Sequence, residues 1–84
     1  MTEPASPTTI VLPSGICVEE YTTRNGVTKC AVQAPRHHMP ALTRALTPLG
    51  ATVRAYTSRS GDRCGASGIT CDVLDVLAAV EPVA

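Results

Sequence analysis

The chain has no tryptophan and no phenylalanine, and its only aromatic residues are Tyr21 and Tyr56. Aromatic side chains normally supply the largest single contributions to buried area. Valine, leucine, isoleucine and alanine must take that role here, in a chain of 84 residues. A domain of this size has little stability in reserve. The expectation is help from outside the core: a second copy in a homodimer, a protein partner, a metal or a disulfide.

Net charge is also missing, since seven acids balance seven bases. That excludes bulk attraction to nucleic acid or to an anionic membrane. It leaves room for a local basic face, because six of the seven bases are arginines. No apolar run reaches transmembrane length. The first twenty residues carry neither the basic nor the apolar region of a signal peptide. The expected address is the cytoplasm, where cysteines stay reduced. Opening at Met1, the chain reads as a whole product. Residues with AT-rich codons are scarce beside alanine, threonine and valine, a bias expected of a high-GC bacterium or its phage.

What is present is globular. The hydrophobic fraction is 44% and the charged fraction 17%, which argues against global disorder. The length allows one domain. Residues 1–7, polar with two prolines, read as a flexible arm, and residues 8–84 as a single small domain.

The pattern within that domain predicts the order βββαβα. Thr8 to Leu12 is β-branched and apolar, and Pro13-Ser14-Gly15 marks a turn. Ile16 to Thr23 and Val27 to Ala34 flank Asn25-Gly26, the strongest hairpin signal in the chain. Met39, Leu42, Leu46 and Leu49 make one helical stripe with Ala45 beside it, started by Pro40 and closed by Gly50. Ala51 to Thr57 alternates as a strand, with Val53 and Ala55 on one side and Arg54 and Tyr56 on the other. The unit from Val27 to Thr57 is expected to be a right-handed parallel crossover. Ser58 to Gly68, with three glycines, reads as the longest loop. A last helix, capped by Ser67 or Thr70, presents Val73, Val76, Leu77 and Val80. The fold class is α+β, with both helices on one face of the sheet and the other face open to a partner.

Four groups of residues bear on chemistry. Cys17 and Cys30 flank the hairpin. A two-residue Asn-Gly loop sets Cys30 against Tyr21 and Cys17 against Ala34, about 13 Å apart along the strands, too far to pair. Cys64 and Cys71 are the weak candidates for a thiolate site. Cys64 sits in the glycine-rich segment, and Cys71 at a helix start, where the dipole favours a thiolate. Such a site implies a disulfide, a redox pair, or zinc drawing on His37 or His38. The plainer reading is two structural thiols and an exposed histidine pair. Arg54, Arg59 and Arg63 are the candidates for phosphate or nucleic-acid contact, against a solvated loop as the alternative. No Ser/His/Asp set or carboxylate pair stands out, so no catalytic residue is assigned.

The function expected from this pattern is that of a small non-enzymatic interaction or regulatory protein. It would bind a protein partner or itself, and a phage or mobile-element accessory role fits the composition. The rival readings are a thiolate metal or redox module on Cys64 and Cys71, and a nucleic-acid module on Arg54, Arg59 and Arg63.

Overall fold

The computed structural model describes residues 8–83. The arm expected over residues 1–7 lies outside the described residues. The β-branched start forms β1 (Thr8–Val11), followed by β2 (Cys17–Thr22) and β3 (Thr28–Pro35). The β2–β3 turn differs from the expected two-residue loop. Gly26 N donates to Thr23 O at 2.9 Å, which makes Arg24 and Asn25 the central residues. Of these residues only Gly26 has a positive φ, +79°. This is a type I turn followed by a left-handed glycine, not the primed turn that Asn-Gly suggested. The register therefore slips by one. Glu20 faces Cys30, and Cys17 faces Gln33. A one-residue slip exchanges sheet faces, so Cys17 and Cys30 lie on opposite sides of the sheet rather than on the same one.

A 3₁₀ turn (Arg36–His38) leads into α1 (Met39–Leu46), with Pro40 in its first turn. A second 3₁₀ turn (Thr47–Leu49) ends at Gly50, whose φ of +78° supplies the left-handed stop. The chain then enters β4 (Arg54–Ser58). The segment expected as a loop is instead β5 (Gly61–Ile69), reached through a tight turn at Arg59-Ser60. Its glycines and serine conceal an alternation in which Cys64 and Ala66 point inward and Arg63 and Gly65 outward.

β5 inserts between β3 and β4, giving the order β1-β2-β3-β5-β4 with every neighbouring pair antiparallel. β3 and β4 consequently run parallel, as a crossover requires, but are not neighbours. The expected parallel crossover from β3 to β4 thus passes over one intervening strand, β5. The β3–β5 register shifts between Cys30 and Val32, and Gly68 sits at this bulge with φ +69°. The Gly68 N–H donates to the Tyr21 hydroxyl at 3.1 Å, so a side chain from β2 reaches across β3 to hold the bulge.

The last helix, α2 (Val73–Val80), starts at Asp72 rather than at Ser67 or Thr70. It packs against α1 and β2. Both helices thus cover the same side of the five-stranded sheet, and the fold is α+β as the sequence predicts. The core between them is aliphatic. Its largest fully buried members are Ile16, Leu42 and Leu46, with Val18, Val32, Val76 and Val80 around them. Neither tyrosine takes part. Among the described residues, no helix is long and apolar enough to cross a membrane.

Candidate binding face

Strand alternation decides what the uncovered side of the sheet displays. Val18, Val32, Ala34, Cys64 and Ala66 point toward the helices and are buried. Their neighbours point the other way: Glu19 and Tyr21 on β2, Lys29, Ala31 and Gln33 on β3, Arg63 and Gly65 on β5, Arg54 and Tyr56 on β4. β4 ends opposite Gly65, whereas β5 runs on to Ile69. That length mismatch leaves a notch, closed on its far side by the segment from Leu49 to Thr52.

The result is a groove of about 970 Å³ over β3, β5 and β4. Ala31 and Gly65 make a low floor, and Arg54, Tyr56 and Arg63 stand along it. Among the described residues, no carboxylate lines it. Glu19, the one acid on this side among the described residues, lies on β2 outside the groove. Asp72, Asp75 and Glu81 are on or beside α2, on the opposite side. Among the described residues, Lys29, Arg54 and Arg63 thus outnumber the single acid Glu19 on the helix-free face, while Asp72, Asp75 and Glu81 gather on the helix side.

Arg36 holds the groove's outer wall from behind. Its Nη2 donates to the Tyr56 carbonyl at 2.8 Å and its Nε to the Arg63 carbonyl at 3.4 Å. Nη2 also lies 3.9 Å from an oxygen of Asp62. One guanidinium thus ties the backbones of β4 and β5 together directly beneath the two side chains that face the groove, and it forms a long, solvent-exposed ion pair with the acid on that hairpin.

Of the arginines singled out in the sequence, Arg54 and Arg63 come together on this face. Arg59 occupies the exposed β4–β5 turn outside the groove. The expected phosphate-cradling loop is absent, because residues 61–69 commit their backbone to a sheet ladder. Tyr56, Tyr21 and Lys29 were not singled out. The pairing of Arg54 with Tyr56 on one strand face was legible. Their position beside Arg63 was not, because it depends on β5.

The thiols are arranged differently from the expected site. Cys64 pairs with Ala34, and its Sγ donates to the Pro35 carbonyl at 3.6 Å. Cys71 lies at the other end, where the Cys30 Sγ donates to the Cys71 carbonyl at 3.4 Å. Ala34 and Cys30 are four residues apart on one strand, about 13 Å. Cys64 and Cys71 are thus kept apart, and the neighbour of Cys71 is Cys30. Burial pushes the Cys30 thiol up from its ordinary value of 9.0, reinforced by Glu20, Asp72 and Cys71. Burial also pushes Cys64 up, partly opposed by Arg36 and Arg63. His37 and His38 stack with ring centroids 4.1 Å apart. His38 is buried, and its Nε2 donates to the Ser14 carbonyl at 3.0 Å, which uses the ring to pin the β1–β2 turn. Among the described residues, no three His, Cys, Asp or Glu side chains form a group that could hold a metal ion.

A measurable consequence follows for the thiols. Both raised groups favour the neutral form in the folded state. Their contribution to stability is complete below 9.0, the unfolded value, and is lost as pH rises through the folded one. In a timed reaction with a chromogenic disulfide at pH 8, Cys17 and Cys71 should react within minutes, being half-exposed. Cys30 and Cys64 should react at the rate of unfolding. Four equal rates in native protein would contradict this arrangement.

No protein-family model, curated protein or solved structure matches this chain.

Proposed function

We propose that this protein is a non-catalytic binding module whose groove on the helix-free face receives an anionic macromolecule. The observation that carries the reading is charge segregation: Arg54 and Arg63 line a groove that no carboxylate lines among the described residues, while the acids of α2 lie on the opposite side. Complementary potential of this kind selects and steers a partner. Among the described residues, the groove lining contains no histidine, cysteine or carboxylate, the usual carriers of protons and nucleophilic attack, which supports binding rather than catalysis. A second copy docking here by two-fold symmetry would bring like-charged faces together. The partner is therefore a different molecule. In this reading the protein works in the cytoplasm with its four cysteines free.

Heparin chromatography tests the charge claim directly. The wild-type protein should be retained at low salt and released as salt rises. The charge reversal Arg54→Glu/Arg63→Glu should abolish retention. Arg24→Glu/Arg44→Glu makes the same net change on the β2–β3 turn and on α1, and should leave retention largely intact. Equal losses from the two pairs would reduce the effect to net charge and remove the case for the groove.

A further inference from the structure

The groove lies beside a feature that charge alone does not explain. Both aromatic residues of the chain are on the helix-free side of the sheet, and the core contains none. A domain short of large buried side chains gains stability by burying its aromatics. Here Tyr56 is 37% exposed at the edge of the sheet. Its ring has no aromatic neighbour among the described residues. Arg63 stands directly opposite it across the β4–β5 ladder, and Arg54, two residues earlier on β4 and about 7 Å from Tyr56, lies diagonal to Arg63. Tyr21 lies across β3 with its hydroxyl on the Gly68 N–H, extending the platform toward Lys29, its pair on β3. Between the two tyrosines the floor is low, at Ala31 and Gly65.

We infer that the anionic partner is single-stranded nucleic acid, bound along the sheet with a base stacked on Tyr56 and its flanking phosphates on Arg54 and Arg63. The inference rests on the reading of the groove as an anion-binding surface and adds the identity of the anion. Unpaired bases recognised on an open sheet by aromatic rings with cations beside them are a general solution to single-strand binding. A duplex does not fit, because its bases are already stacked and an exposed tyrosine on a sheet has no π-face to meet. An acidic protein segment would need the arginines but not the ring.

The test uses the full chain and a fluorescently labelled twelve-nucleotide oligothymidylate or oligouridylate, read by anisotropy. Heparin, a polyanion without bases, is the comparator. Binding should weaken with salt at a log–log slope of about −1.4 for two phosphate contacts, or about −2 if Lys29 makes a third. Tyr56→Ala should weaken oligonucleotide binding about tenfold. It should leave heparin binding unchanged. Tyr56→Phe keeps the ring and should retain near-wild-type affinity, and it guards against a folding defect in the alanine variant. Arg63→Gln should make the slope shallower by about 0.7.

Two failures are distinguishable. Equal indifference of heparin and oligonucleotide to Tyr56→Ala would overturn stacking and leave the anionic groove standing, with an acidic protein segment as its occupant. No binding of either polyanion at low salt would overturn the groove reading itself. Preference for duplex over single strand would overturn the inference as well.

Discussion

Leu46→Ala should lower stability by about 2–5 kcal/mol and leave much of the protein unfolded at 37 °C. Leu46 is fully buried, on the face of α1 that meets the sheet and α2. Truncation removes its transfer energy and leaves a cavity that a small core cannot close. For 84 residues the whole stability is on the order of 4–12 kcal/mol. With no aromatic residue in the core, each large aliphatic side chain carries more of that total than it would elsewhere. Leu74→Ala is the control. Leu74 is also on a helix, but 74% exposed, so its loss should fall within about 0.5 kcal/mol. Urea denaturation of the two variants, at unchanged slope, reads the difference. Equal effects would mean that α1 and α2 are not packed as described.

The contrast between these leucines shows how far the sequence could be read. The stripe Met39, Leu42, Leu46 has a helical period, Pro40 and Gly50 bound it, and α1 with its following turn falls where those signals place it. The second helix and the first three strands are equally legible, because each carries a local signal. Three things were not. The β2–β3 register depends on whether Arg24-Asn25 or Asn25-Gly26 is the centre of the turn, and both fit the same residues. The strand at residues 61–69 has its buried positions before Ile69 filled by Cys64 and Ala66, which carry little hydrophobic signal, among glycines that ordinarily mark a loop. Its place between β3 and β4 is a long-range choice that no local pattern records.

The binding face inherits this history. Arg54 and Tyr56 were readable as partners on one strand face, and Arg63 was a candidate on other grounds. Only β5 brings them together, so half of the groove was visible in the sequence and its geometry was not. The same holds for the thiols. Cys64 and Cys71 are near in sequence, but an extended strand between them carries them apart, and Cys71 meets Cys30 from another strand. Loop-based reasoning brings neighbours in sequence together, and strand formation does the opposite.

Gly65→Ala should be about as damaging as the loss of a core leucine, roughly 3 kcal/mol, although the residue is half-exposed on the groove floor. A Cβ at Gly65 would lie 2.5 Å from the Val32 carbonyl oxygen and 3.5 Å from the Gln33 Cα. Both are backbone atoms of β3, a strand hydrogen-bonded on each side, so neither can move aside as a flexible side chain would. The cause is close approach rather than backbone conformation, since Gly65 has no positive φ. Gly26 is the opposite case: φ is +79°, with open space around it. Gly26→Asn should therefore be tolerated, because asparagine adopts the left-handed region at small cost. Gly65→Asn should be no better than Gly65→Ala. Thermal melts of the three variants separate the two mechanisms. A stable Gly65→Ala protein would mean that β5 lies farther from β3 than described, and the floor between Tyr56 and Tyr21 would no longer hold the two rings on one surface.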